Sequence, residues 1–240
     1  MITLIRNIFP VGKGGVRFRD FMFGDVLTSL TRPFASMCIS FCLFFCQECR
    51  ESNIRSNCNR NSITALCFIL APFIIRFFQC LNRYYYTKAA WPHLANALKY
   101  CGGLTYNTIA WLFAVYKDEY FVYFVVSGVV ANCYMLFWDI YMDWNLARSF
   151  KKNFFLRDKI IYPRWMYYSA IVINTMLRFT WITSIPSLNP PISDETKVFF
   201  LSVLEIYRRI QWSLFRIENE NTNNPEKYRT ILDIPQLPFE

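Results

Sequence analysis

Apolar residues in this chain gather into six stretches, separated by short segments rich in charged residues or proline. Each stretch is close to the roughly 20 residues that an α-helix needs to cross the hydrocarbon core of a bilayer. Only Lys117, Asp118 and Glu119 separate the third stretch from the fourth, which predicts a tight antiparallel hairpin. Prolines within residues 186–191 end the fifth. The pattern predicts membrane-spanning helices at about residues 21–46, 63–81, 100–116, 120–139, 165–185 and 197–215.

Composition excludes most soluble classes of protein. Apolar residues make up 54% of the 240 residues and charged residues 18%, against roughly 25% charged residues in an average domain. A disordered chain is excluded by this hydrophobicity, and a collagen-like chain by the presence of only 7 Gly. We therefore predict an all-α polytopic membrane protein with about six transmembrane helices.

The net charge of +9 is best explained by membrane topology. No DNA- or RNA-binding motif is present, so we expect no nucleic-acid partner. If the N-terminus is cytoplasmic, fifteen Lys and Arg lie on inside segments and five on outside loops, as the positive-inside rule requires. This predicts two cytoplasmic termini, with an N-terminal segment at 1–17, a transmembrane domain at 18–220 and a tail at 221–240.

Nine cysteines cannot form a complete disulfide framework within one chain, because the number is odd. Cys38, Cys42, Cys46 and Cys49 recur every three or four residues and so form one stripe on a helix. Paired ligand spacing typical of zinc is absent, so we interpret the stripe as packing residues and expect no metal site and no cofactor. A disulfide between Cys49 and Cys58, in one predicted outside loop, is left open.

Several ionisable residues lie inside the predicted spans, where each costs about 2.5–3.5 kcal/mol on insertion scales. One interpretation is a structural network, with Glu205 paired to Arg209 at i,i+4 and Asp139 paired to Arg178 across helices. The favoured interpretation is a polar pathway, which three arginines bias toward anions such as phosphate. The residues concerned are Asp25, Arg76, Asp139, Asp143, Arg178, Glu205, Arg208 and Arg209.

Seven short motifs occur in an order that resembles the EXS family. They cover the chain from about residue 18 to its C-terminus, which makes the resemblance specific. The motifs read FRDFMFGD (18–25), QCLNRY (79–84), HLANALKY (93–100), WDIYMDW (138–144), LRFTW (177–181), EIYRR (205–209) and FRIENE (215–220).

The resemblance implies an inorganic phosphate pathway through a six-helix bundle. The family includes animal and plant phosphate exporters and a yeast Golgi branch whose loss causes secretion of luminal ER proteins. By resemblance, Trp181 is the gate of the pathway. The implied phosphate contacts are Arg178, Arg208 and Arg209, with Lys99 and Tyr100 nearby. The pathway-lining residues are Asp25, Thr28, Arg76, Asp139, Asp143 and Glu205.

Three departures from the exporter pattern bear on these expectations. Thr28 stands where animal exporters have Asn, and Asn174 replaces an Asp just before Arg178. The exporters also carry an SPX domain and further transmembrane helices before the EXS bundle, and these 240 residues are too few to include them. We therefore expect a shortened member of the family or an incomplete gene product. The resemblance is then nearer to the yeast Golgi branch, which implies phosphate recycling linked to glycosylation in a Golgi or ER membrane.

Two alternatives from other functional classes stay open. A membrane sorting factor would retain ER proteins or recycle glycosyltransferases through Lys151, Lys152 and the tail, with sorting partners or as a homo-oligomer. A Mg²⁺-dependent transferase would use Asp139 and Asp143 with a diphosphate substrate, although no second acidic cluster supports it. We expect a transporter rather than an enzyme.

Overall fold

The computed structural model describes residues 16–45, 58, 61–147, 154–157, 160–188 and 191–223. Within these residues the chain is helical, and it contains no β-strand. Short 3₁₀ turns lie at Lys117–Tyr120, Thr180–Ser184 and Pro186–Leu188, and a π-helical turn at Trp138–Asp143. The α-helices are α1 (Phe18–Ser29), α2 (Thr31–Phe45), α3 (Ile63–Thr87), α4 (Ala90–Tyr116), α5 (Phe121–Phe137), α6 (Arg164–Arg178) and α7 (Asp194–Asn223).

The first predicted span is two helices rather than one, because α1 and α2 meet at an angle of 63°. The break lies at Leu30, whose N–H bonds to the carbonyl of Leu27 at 3.1 Å. Pro33 explains it, since proline has no N–H to donate to the carbonyl of Ser29 and its ring would collide with that carbonyl in a continuous helix. The break places the N-terminal end of α2 inside the bundle.

Helices α4 and α5 form the antiparallel hairpin that the sequence predicts. The chain reverses at Lys117, which adopts a positive φ of 45°. Near the turn, the rings of Phe113 and Phe124 stack with centroids 4.7 Å apart. At the other end of the hairpin, away from the turn, the Tyr134 hydroxyl donates to the carbonyl of Ala95 at 2.9 Å. The two helices are therefore packed along their full length.

The bundle buries many polar side chains beside its apolar ones and exposes large apolar side chains on its outer faces, unlike a soluble protein. Apolar side chains on the outer faces of α3, α5 and α7 are exposed, as the hydrocarbon of a bilayer requires; they include Phe68, Ile74, Val122, Val126, Val130, Phe199, Phe200 and Ile210. Charged and amide side chains are fully buried between the helices; they include Asp25, Arg76, Asn174, Arg208, Arg216 and Asn219. The chain folds as a helical membrane protein.

By length and apolar composition, two helical runs of the described residues can cross a bilayer: Ile63–Thr87 and Ala90–Asp143. The second run holds both arms of the hairpin. The bent pair α1 and α2 passes the same test as one broken span. Helix α6 has only 15 residues, and α7 carries many charged residues. The count of six spans therefore stays a prediction.

A disulfide joins the end of α2 to the segment before α3. It links Cys42 to Cys58, with Cα atoms 5.7 Å apart. The Cys49–Cys58 disulfide that the sequence left open does not form, because Cys58 is joined to Cys42, another residue of the stripe. Cys46 and Cys49 lie outside the described residues.

Close packing of α3 on α4 depends on Gly103. A Cβ atom added there would lie 2.5 Å from the ring of Phe73 and 3.1 Å from the terminal methyl of Met135. We expect Gly103→Ala to lower the stability of the bundle by about 1–3 kcal/mol, because the ring must move. Gly102→Ala is the matched control, since its Cβ would meet only Ala131, at 3.9 Å. Thermal unfolding in detergent measures both variants, and equal midpoints would contradict the prediction.

Candidate functional site

A cavity of about 690 Å³ lies inside the bundle and is lined by residues from all seven α-helices of the described residues. It extends from the buried charges at mid-bundle to Lys117, Asp118 and Asp194 at the end where the hairpin turns. Ten of the twelve site residues that the sequence predicts line it. They are Asp25, Thr28, Lys99, Tyr100, Asp139, Arg178, Trp181, Glu205, Arg208 and Arg209.

Asp139 is the centre of the charge network. It lies on the π-helical turn that follows α5, and its Oδ2 accepts a hydrogen bond from Nη2 of Arg178 on α6, so the pair predicted across helices is confirmed. The same oxygen lies 3.5 Å from Nη1 of Arg208 on α7. Asn174 completes the group, because its amide donates to Asp139 at 3.2 Å and its carbonyl accepts from Arg208 at 3.3 Å. One carboxylate therefore ties three helices together.

Glu205 pairs with Arg208, not with Arg209 as its i,i+4 spacing suggests. Nε and Nη2 of Arg208 donate to the two oxygens of Glu205 at 2.9 and 2.5 Å, in a bidentate pair. The prediction of a Glu205–Arg209 pair is wrong because α1 intervenes. The hydroxyl of Ser29 donates to Glu205 at 2.7 Å and accepts from Arg209 on its other side.

Arg209 has no carboxylate partner among the described residues. Its Nε donates to Ser29 at 2.7 Å and its Nη2 to Thr28 at 3.3 Å. Its guanidinium carbon lies 4.5 Å from the centroid of the Trp212 ring. Hydroxyl groups and an aromatic face hold the side chain in position without neutralising its charge. Arg209 thus lines the cavity with no ion pair of its own among the described residues.

Arg76 lies behind the cavity wall, so its predicted place in the lining is corrected. Its Nε donates to Asp25 and to the hydroxyl of Tyr100, both at 2.9 Å. The guanidinium also lies between the rings of Phe21 and Tyr100, at 4.5 and 4.8 Å from their centroids. Tyr100 donates to Asp25 at 2.5 Å. Arg76 therefore fixes two lining residues, and we assign it a positioning role.

Asp143 also lies outside the cavity, and its predicted place in the lining is corrected. Its carboxylate is 3.8 Å from Nζ of Lys99 and 3.8 Å from Nε of Arg216. The indole N–H of Trp212 donates to it at 3.2 Å. Asp143 thus contacts Trp212 and Arg216, which lie further along α7 than Arg208, the residue that Asp139 meets. Trp212 also belongs to a buried apolar cluster that includes Trp144.

Trp181 forms part of the wall beside the arginines. It lies on the 3₁₀ turn Thr180–Ser184, directly after the end of α6 at Arg178. The indole is 5% exposed, and it contacts Phe124 edge-on with centroids 5.5 Å apart. Its indole N–H has no hydrogen-bond partner in the described part of the chain. The nitrogen is itself buried, so the donor is unsatisfied in this position of the ring.

Comparison with known proteins identifies the family of this chain. The EXS family model matches residues 1–222. The chain belongs to the EXS family. It is 34% identical to the xenotropic and polytropic retrovirus receptor 1 homolog of Xenopus laevis and 32% identical to solute carrier family 53 member 1 of Homo sapiens, over its full length in both cases. It spans 37% and 38% of those proteins. SPX and EXS domain-containing protein 3 of Dictyostelium discoideum is 32% identical over 99% of this chain and 27% of its own length.

The EXS motifs supply the cavity from separate helices. The first contributes Asp25 from α1, the third Lys99 and Tyr100 from α4, and the sixth Glu205, Arg208 and Arg209 from α7. No two of these helices are consecutive in the chain. Five of the seven motifs place at least one residue in the cavity lining, and QCLNRY (79–84) and FRIENE (215–220) place none there.

Arg32 and Ser29 are two of the lining residues that sequence reasoning missed. Arg32 lines the cavity from the first turn of α2, which contains no acidic residue. A charge within an apolar stretch, next to Pro33, was the available signal. Ser29 is the second, and nothing in the sequence marks a lone serine as the link between Glu205 and Arg209.

The arrangement suits an anion better than a metal ion. Within the described residues no group of three or more His, Cys, Asp or Glu could hold a metal. Asp139 faces two arginines, and Asp143 faces a lysine and an arginine. Both carboxylates are paired with cationic side chains, which occupy the oxygens that a Mg²⁺ ion would need. This pairing weakens the case for a Mg²⁺-dependent transferase.

Loss of the Asp139 charge should destabilise the bundle. Asp139→Asn leaves Arg178 and Arg208 buried with too little negative charge, and removing one partner of a buried pair costs about 3–5 kcal/mol. Asp194→Asn is the control, because Asp194 is exposed and pairs only with Lys197 at the surface. Thermal unfolding in phosphate-free detergent should show a large loss for the first and little for the second. A matching, small loss in both variants would refute the central role of Asp139.

Proposed function

We propose that this chain provides a pathway for inorganic phosphate across a membrane. One observation carries the proposal: Lys99, Arg178, Arg208 and Arg209, from three helices, line one buried cavity, and Arg209 has no carboxylate partner among the described residues. Cations persist inside a membrane protein where they face a pathway or a partner. Cationic rings are also what anion and phosphate pores use.

Phosphate fits this site by geometry as well as by charge. A guanidinium offers parallel N–H donors that match two oxygens of one phosphate. We propose that phosphate binds first at Arg209 and is then shared with Arg178 and Arg208. The carboxylates of Asp139 and Glu205 hold those two side chains and balance their charge when the cavity is empty. Partial compensation also keeps the site from retaining phosphate too tightly, as conduction requires.

Trp181 is proposed as the gate of this pathway. Its indole is large, lies next to Arg178 in the chain and lines the cavity. The unpartnered indole N–H can donate to an anion that passes it. The 3₁₀ turn that carries the ring is short and weakly hydrogen-bonded compared with an α-helix. A small change in this turn would move the ring across the passage.

We also propose an endomembrane location, in the Golgi or the ER, with phosphate moving out of the lumen. Glycosylation there releases nucleoside diphosphates and then phosphate, which must leave. The Cys42–Cys58 disulfide supports the predicted orientation, because disulfides persist on the oxidising side of a membrane and the charge bias puts this loop on that side. Immunogold labelling of the tagged chain would test the location.

The names of the relatives point the same way. Solute carrier family 53 member 1 is named as a carrier, and we extend transport from it to this chain as part of the proposal. The sorting alternative receives no support from the structure, since Lys151, Lys152 and residues 224–240 lie outside the described residues. Homo-oligomer formation stays a prediction.

Arg209→Gln provides the sharpest test of the proposal. Arg209 contributes to no ion pair within the described residues, so the variant removes a charge facing the cavity without leaving a buried carboxylate unpaired. A hydrogen bond to a charged group contributes about 1.5–3 kcal/mol, so phosphate should bind roughly ten- to a hundredfold more weakly. Release of radiolabelled phosphate from proteoliposomes and equilibrium phosphate binding in detergent measure the effect.

Arg164→Gln is the matched control. Arg164 is an exposed residue at the start of α6 and does not line the cavity. Wild type and this control should release phosphate at similar rates, and monodisperse gel filtration establishes folding. Equal loss in both arginine variants would trace the effect to net charge, and no release from well-folded wild type would overturn the proposed function.

A further inference from the structure

Trp181 rests directly on a glycine of the neighbouring helix. Gly128 is buried in the middle of α5, and a Cβ atom added to it would lie 2.9–3.0 Å from three carbons of the six-membered ring of Trp181. Carbon atoms in contact normally lie about 3.5–4.0 Å apart. The indole therefore occupies space that only glycine leaves free.

The other sides of the indole are also fixed. Phe124, one helical turn before Gly128, meets the ring edge-on, and Tyr106 of α4 lies 6.2 Å away at 65°. Asn132 donates to the carbonyl of Gly128 at 2.8 Å, which anchors the backbone of α5 at this point. The remaining side of the indole is the cavity that it lines. A ring pushed away from Gly128 can move only into the cavity.

In this position the indole does not divide the cavity. The same cavity is lined by Arg178 and Arg208 and by Asp118, Pro186 and Asp194, and Trp181 is part of its wall. A ring that moved away from Gly128 toward the cavity would narrow it.

We propose that Gly128 is a positioning residue for phosphate passage. Because it has no side chain, it leaves a space, the seat, in which the Trp181 indole lies withdrawn from the cavity. The inference rests on the proposed phosphate pathway and adds to it the residue that sets the gate's position. It also explains why a glycine occupies the middle of a membrane helix, where alanine would be the better helix former.

Gly128→Ala should lower phosphate release from proteoliposomes by roughly tenfold, since the added methyl group drives the indole into the passage. Equilibrium binding of phosphate in detergent should stay within twofold of wild type, because the methyl group does not touch the arginines. Gly102→Ala is the matched control on the same hairpin and should leave both quantities unchanged.

Trp181→Phe should rescue the Gly128→Ala variant, because phenylalanine lacks the distal carbons that reach Gly128. Gly128→Ala combined with Trp181→Phe is therefore expected to release phosphate as Trp181→Phe alone does.

Fluorine NMR of the fluorotryptophan-labelled chain separates this inference from the proposed function. Trp181→Phe assigns the Trp181 resonance among the seven tryptophans, and Gly128→Ala should shift that resonance while Gly102→Ala does not. The inference would be overturned if the Trp181 resonance did not shift in Gly128→Ala. It would also be overturned if Trp181→Phe did not restore phosphate release to the Gly128→Ala variant. If wild type releases no phosphate but the resonance shifts as expected, the seat stands as a contact and the transport proposal fails.

Discussion

The structure depends on the way Asp139 shares its charge between two arginines from different helices. A bare guanidinium inside a bilayer is unfavourable, and the membrane provides no hydrophobic force to drive one helix against another. Arg178 on α6 and Arg208 on α7 are buried where they meet the carboxylate of Asp139, on the π-helical turn that follows α5. The pairing that makes their burial possible is also what assembles this side of the bundle.

Compensation of charge in the cavity is incomplete. Glu205 is held by Arg208, and Asp25 by Arg76 and Tyr100, so these carboxylates are engaged with other partners. Arg209 is left with two hydroxyl groups and an aromatic face. In the proposed function, an arginine with no ion pair among the described residues, in a cavity of about 690 Å³, is the part of the site that receives phosphate.

Sequence patterns predicted the helices better than the contacts between them. Apolar stretches located all the helical regions, and three polar residues were enough to predict the hairpin. The break at Leu30 was missed, although Pro33 marks it, because hydropathy alone does not register a missing backbone donor. The partner of Glu205 could not be predicted from spacing, because Ser29, distant in the chain, separates it from Arg209. The positions of Arg76 and Asp143 behind the cavity were equally hidden, since they depend on contacts from other helices.

The most direct test of the proposed phosphate site at Arg209 is an experimental structure of the chain with phosphate present and absent. Two maps under matched conditions would show where the anion sits. The account predicts added density in the cavity, within hydrogen-bond distance of the Arg209 guanidinium and adjacent to Arg178 and Arg208. Unchanged density at Arg209 in saturating phosphate, or phosphate bound only elsewhere on the molecule, would contradict it.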